Sequence, residues 1–134
     1  MSTNGSDAMM WGILLHLSYN MWADRDVPER DLTHYSYADE LRFDESMWNA
    51  LLPELVDAGI NTVVLDLGDG LAYESHPEIA VKSAWSGDKL VAELAKLRAM
   101  GLEPLPKLNF STAHDAWLGP YSRMVTSLTP PGST

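Results

Sequence analysis

Three short stretches of this sequence end in side chains able to move protons or hold a polar ligand. They bring His16 with Ser18, Asp66 with Asp69, and Lys107, Asn109, Ser111, His114 and Asp115. Imidazoles and carboxylates in company suit general acid–base work. Asp66 stands out, because it closes the apolar run Asn61-Thr-Val-Val-Leu-Asp66, where an ionisable group needs a partner or water. Two readings of it stand side by side: an ion pair with Lys107, or a catalytic or substrate-binding carboxylate. His16 reads either as a hydrogen-bonded residue of the same sheet face or as a direct ligand contact. His114 and Asp115, beside Trp117, are the better functional candidates, since loops carry chemistry more often than cores do.

His16, Asp66 and His114 also make a zinc-type donor set. No His-x-x-x-His, His-x-His or Glu-x-x-His spacing accompanies them. No cofactor is therefore expected, with a divalent metal such as zinc as the alternative. Phosphate-cradling glycine loops and a Gly-x-Ser-x-Gly elbow are absent from the sequence, and Gly68-Asp69-Gly70 reads as a turn.

The elements that must position these groups follow from periodicity. Strands are predicted over 11–18, from 61 to the Gly68-Asp69-Gly70 turn, and over 103–110. Asp44 is placed to cap a first helix whose apolar positions are Met47, Trp48, Leu51, Leu52, Leu55 and Val56, with Gly59 to stop it. Pro53 inside it costs roughly 3 kcal/mol and predicts a kink near Asn49 or two abutting pieces. Ser86 or Asp88 opens a second helix with Leu90, Val91, Leu94, Leu97 and Met100 on its apolar face and Gly101 after it. Residues 19–43, 68–85 and 111–121 are long connections, and 122–128 could begin a third helix. Residues 1–9 read as a disordered leader, 10–128 as one domain and 129–134 as a disordered tail.

Strand-to-helix connections are thus long and helix-to-strand turns minimal, so the working face lies at the carboxyl ends of parallel strands. Alternation decides the architecture. Ile13, Leu15 and Leu17, then Val63, Leu65 and Leu67, then Pro106, Leu108 and Phe110 give each strand one apolar face, while the other turns polar towards its exit. A sheet wound on both sides would be apolar on both faces. The pattern fits an α/β fold of TIM-type (β/α)-barrel kind, with helices on one face and a lumen on the other.

Bulk properties narrow the partners. A 134-residue chain, 46% hydrophobic, builds one core. A net charge of −10 argues against nucleic acid and anionic membranes. The absence of cysteine removes disulfides and thiolate chemistry, and no apolar run is long enough to span a bilayer, so a cytoplasmic protein is expected. Trp22, Tyr35, Tyr37, Tyr73, Trp85, Trp117 and Tyr121 fall in or beside the exit loops among Asp, Asn and His, a mixture suited to a carbohydrate.

Phe43-Asp44, Trp48-Asn49-Ala50-Leu51-Leu52, Ala58 to Asp66, Lys107-Leu108-Asn109-Phe110-Ser111 and His114-Asp115-Ala116-Trp117-Leu118 together resemble the N-terminal portion of (β/α)8-barrel glycoside-hydrolase-like proteins of the β-N-acetylhexosaminidase type. The resemblance implies that Asp66 or Asp69 and His114 hold the sugar, and that the general acid belongs to a fourth strand. A whole barrel takes about 250 residues, so about three-eighths of one is expected here, truncated after three βα units. Such a unit leaves sheet edges and a lumen face open, which predicts a homo-oligomer.

The expected function is binding or hydrolysis of a small polar, sugar-like substrate. Asp66, Asp69 and His114 would be catalytic; His16, Lys107, Asn109, Asp115 and Trp117 would bind substrate. Two alternatives are a metal-dependent ester or phosphoester hydrolase assembled by oligomerisation, and a non-catalytic self-assembling barrel fragment.

Overall fold

The computed structural model describes residues 9–17 and 40–108. Within them the order is strand β1 (Gly12–His16), helix α1 (Glu45–Asp57), strand β2 (Thr62–Asp66), helix α2 (Gly87–Ala99) and strand β3 (Glu103–Lys107). The three strands form one open parallel sheet in the order β1-β2-β3. Right-handed crossovers that always step in the same direction put both helices on the same face. No helix among the described residues is long and apolar enough to cross a membrane.

The side-chain alternation expected of the strands is observed around Val63 and Leu65 in β2 but not along β3, where Pro106 and Leu108, assigned to the covered face, are exposed and Pro104 is buried instead. Val63 and Leu65 are fully buried against the helices, joined by Leu17, Leu52, Leu55, Leu97 and Leu102 in a single cluster. On the opposite face Leu14 is 44% and Leu105 37% exposed. Strands β1 and β3 are shorter than predicted. Leu108 lies beyond β3 and is exposed, so the polar exits begin sooner.

Helix α1 is one continuous element of 13 residues, not two pieces. Pro53 sits at an exposed position, where the unbonded carbonyl one turn earlier can turn to solvent. Asp44 caps the helix, its Oδ1 accepting from the Met47 amide at 2.9 Å, and Ser86 rather than Asp88 caps α2, its Oγ accepting from the Lys89 amide at 3.1 Å. Gly59 and Gly101 adopt φ of +87° and +80°, the left-handed conformation that stops each helix and turns the chain directly into the next strand.

The apolar face assigned to α2 needs correction. Val91 is 66% exposed, while Glu93 is buried at 4%. On α1, Met47 and Val56 likewise face outward. Glu93 is tolerated inside because it is saturated with donors: Trp48 Nε1 at 2.8 Å, Lys89 Nζ at 2.9 Å and Lys96 Nζ at 2.6 Å. The lysines also reach α1, Lys89 to Glu45 Oε1 at 2.6 Å and Lys96 to Asn49 Oδ1 at 2.8 Å, so Glu93 knits the two helices together.

Burial alone would push the Glu93 carboxyl up. The hydrogen bonds from Lys96, Lys89 and Trp48 outweigh it and hold the group below the usual glutamate range. A depressed folded-state pKa contributes stability that is present above the unfolded value of about 4.3 and is lost as pH falls through the folded value. Urea titrations of wild type and Glu93→Gln are therefore expected to differ most near neutral pH and to converge as the pH is lowered below about 4. A constant gap across that range would contradict this account of the helix pair.

Candidate functional site

The register places the ends of the three strands in one row, with His16 opposite Asp66 and Asp66 opposite Lys107. Side chains in one row of a parallel sheet leave the same face about 4.8 Å apart, so the central residue can touch both neighbours. Asp66 does so. Its Oδ2 accepts from Lys107 Nζ at 3.0 Å and lies 3.0 Å from His16 Nδ1. Asp66 is 1% exposed, while the His16 and Lys107 side chains remain 28% and 34% exposed. The carboxylate is thus anchored inside and its two partners reach towards solvent.

An oxygen that already accepts from an ammonium is an acceptor, so the imidazole donates from Nδ1. In the neutral ring that tautomer leaves the lone pair on Nε2, the arrangement in which a carboxylate orients histidine as a base. The ion pair read from the sequence is therefore present, and it coexists with a histidine contact instead of excluding one.

The chain leaving β2 folds back against the exit of β1. Gly68–Gly70 form a 3-10 turn in which Gly68, Asp69 and Gly70 are all buried. A Cβ on Gly70 would lie 2.6 Å from both Leu17 Cγ and Leu17 O, so only glycine lets the turn rest on the β1 exit. Trp85 N donates to Gly70 O at 2.8 Å, Ala72 N to Trp85 O at 2.9 Å and Val81 N to Asp69 O at 3.0 Å. The segment expected as a plain loop over 68–85 is consequently a closed, hydrogen-bonded excursion with a second 3-10 turn at Pro77–Ile79.

Trp85 is another correction. Proposed as a rim aromatic, it is 4% exposed and stacks edge-on against Phe43 and Trp48, with centroids 5.0 and 6.1 Å away. Placed between the capped end of α1 and the excursion, it packs the site's support and offers no platform to a ligand. Beside His16 lies an open cavity of about 160 Å³, walled largely by Leu15, Leu17, Phe43, Trp48, Leu51 and Leu65.

Tyr73 belongs to the site and was singled out in the sequence only as a loop aromatic. Its hydroxyl is buried without a hydrogen-bond partner among the described residues. Burial, together with the negative charges of Asp66 and Asp69, pushes its phenol up to about 12. The available signal was its position, a few residues beyond two acids on the same exit, which no spacing rule marks as functional.

The structure thus gathers His16, Asp66 and Lys107, with Asp69 and Tyr73 close enough to share their field. Ser18, Asn109, Ser111, His114, Asp115 and Trp117 lie outside the described residues. Of the zinc-type set, His16 and Asp66 touch, and among the described residues no group of three or more His, Asp or Glu is arranged to hold a metal ion. Comparison with models of known protein families, with curated proteins and with solved structures found no match.

A phenol with a raised pKa leaves stability unchanged below the ordinary value of about 10, then lowers it as pH rises towards 12, because the unfolded state releases its proton first. Phenolate absorbance is expected to show one tyrosine titrating near 12 that is missing in Tyr73→Phe. In Asp66→Asn it should move part of the way back, as burial is the larger cause. Titration of every tyrosine near 10 would contradict the placement of Tyr73 beside these carboxylates.

Proposed function

We propose that this chain is a (β/α)-barrel unit of glycoside-hydrolase-like descent that binds and hydrolyses a small polar, sugar-like substrate at the carboxyl ends of its strands. The observation that carries the proposal is the row His16–Asp66–Lys107: a buried carboxylate holding an imidazole on one side and an ammonium on the other at three neighbouring strand exits. That position is where parallel α/β folds keep their chemistry. His16 Nε2 would take a proton from the attacking water, and the imidazolium so formed would return it to the leaving oxygen, with Asp66 fixing the ring and stabilising its protonated form. Lys107 would donate a hydrogen bond to a substrate oxygen. His114 keeps the sugar-holding role that the resemblance implies, and Asn109 and Trp117 the substrate contacts expected from the sequence.

The metal-dependent alternative fits less well, since Lys107 already supplies a cation to Asp66 Oδ2 and an ion there would have to displace it. The steady step of the strands in one direction, with apolar residues exposed on the uncovered face, supports a curved barrel wall whose inner face is covered by further strands. In this reading, copies of the chain supply them.

The proposal is tested with a panel of aryl glycosides. His16→Ala and Asp66→Asn are each expected to lower kcat/KM by about 10²–10⁴. Sedimentation of the same samples should show an oligomer at micromolar concentration. Activity indifferent to both substitutions would reject the site, and a monomer in the active samples would reject completion by copies.

A further inference from the structure

In a parallel ladder each residue turns its N–H and C=O to the same neighbouring strand, and the residues before and after it turn theirs to the other side. The bonds from Glu103 N to Asn61 O and from Leu67 N to Lys107 O therefore set Glu103, Leu105 and Lys107 towards β2, and Pro104 and Pro106 towards the outer side of β3. Proline has no N–H. The outward residues of β3 consequently offer carbonyls but no donor, and a further strand laid there would find its own acceptors unmet. That edge is closed to regular pairing.

The opposite rim of the sheet has the reverse character. Leu17 N donates to Asp66 O and Trp11 O accepts from Asn61 N, which puts Gly12 and Leu14 on the outer side of β1, each with a backbone donor and an acceptor. Met9, Met10, Trp11 and Leu14 are all exposed. The Asn61 side chain ties the residues before β1 to the sheet, accepting from Trp11 N and donating to Met9 O, both at 2.9 Å. Apolar side chains gathered and exposed on one rim mark a contact surface. In a chain of net charge −10, the stretch from Ala8 to Ser18 that contains β1 also holds no acid.

We propose that two copies of this chain join through the outer edges of β1, antiparallel about a two-fold axis normal to the sheet, and that Pro104 and Pro106 stop the assembly at two. This rests on the completion by copies proposed above and fixes the edge at which it occurs. Gly12 of one copy and Leu14 of the other form a bonded pair, each donating once and accepting once, and the axis repeats the pair. Each Leu14 then lies across from a glycine, where the two leucines meet diagonally and extend the apolar row Leu14, Val64 and Leu105 across both copies. A second copy suits this edge better than an unrelated strand, because the apolar row meets itself and no carboxylate of β1 faces another where two acidic chains approach. Joined in this way, the two rows of His16, Asp66 and Lys107 open at opposite ends of the common sheet. Each row works with its own side chains.

Analytical ultracentrifugation of wild type, Leu14→Pro, Leu14→Lys and a variant carrying both Pro104→Val and Pro106→Val tests the inference. Wild type is expected to sediment as a dimer at micromolar concentration. Leu14→Pro removes an outward N–H and leaves the ladder to β2 intact, while Leu14→Lys brings two cations together beside the axis. Each should raise the dissociation constant of the dimer by about ten- to a hundredfold. Restoring two donors to β3 should let the double variant grow beyond the dimer. In wild type, the Gly12 and Leu14 amides should exchange with deuterium more slowly in concentrated protein than after dilution to monomer.

A wild type that stays monomeric overturns this inference and completion by copies together. Leu14 variants that associate as tightly as wild type overturn the joining at β1 and leave completion by copies standing. Wild type larger than a dimer, or a double variant that stops at two, overturns the role given to the prolines. Should both Leu14 variants unfold, the exchange of wild type decides, and Gly12 and Leu14 amides indifferent to concentration overturn the joining.

Discussion

One shared oxygen, Asp66 Oδ2, holds this site together. A carboxylate 1% exposed is tolerable only while its charge is met, and Lys107 and His16 meet it from the two neighbouring strands. Leaving such a charge uncompensated costs about 3–5 kcal/mol. The requirement fixes register as well as chemistry, since a slip of one residue in β1 or β3 would send the partner to the helix-covered face. The ladder bonds that continue past the row, Leu17 N to Asp66 O at 2.9 Å and Leu67 N to Lys107 O at 3.0 Å, keep all three exits aligned.

A second buried carboxylate behaves differently. Glu93, between the helices, collects three donors and is consumed by them, with both oxygens engaged. Asp66 keeps one oxygen without a hydrogen-bond partner among the described residues. That difference separates a structural ionic lock from a site with capacity left over. The two lie on opposite sides of the same sheet, and the lock steadies the helices whose packing against Val63 and Leu65 carries the strand that presents Asp66.

Much of this was legible in the sequence because it rests on local rules. Asp44, Gly59, Ser86 and Gly101 mark helix ends through caps and left-handed turns, and the alternation around Val63 and Leu65 separates a covered face from an open one. Asp66 and Lys107 were already candidate partners, since an acid at a strand exit needs one. What stayed hidden depended on tertiary context. Glu93 was passed over in favour of Val91 because polarity alone cannot reveal three donors arriving from separate turns and a second helix. Trp85 looked like a loop aromatic open to a ligand until the excursion after β2 folded it inward, and the burial of the Tyr73 hydroxyl within the field of Asp66 and Asp69 likewise depends on that excursion. The His114–Asp115 pair, favoured from the sequence, lies outside the described residues.

Everything proposed for this row depends on His16 donating from Nδ1 to Asp66, which in the neutral ring leaves the proton off Nε2. Nitrogen-15 NMR of histidine-labelled protein distinguishes the two ring nitrogens directly. The neutral His16 ring is expected to carry its proton on Nδ1, and to lose that preference in Asp66→Asn. A ring protonated on Nε2 in wild type, or one whose tautomer ignores the substitution, would contradict the central claim.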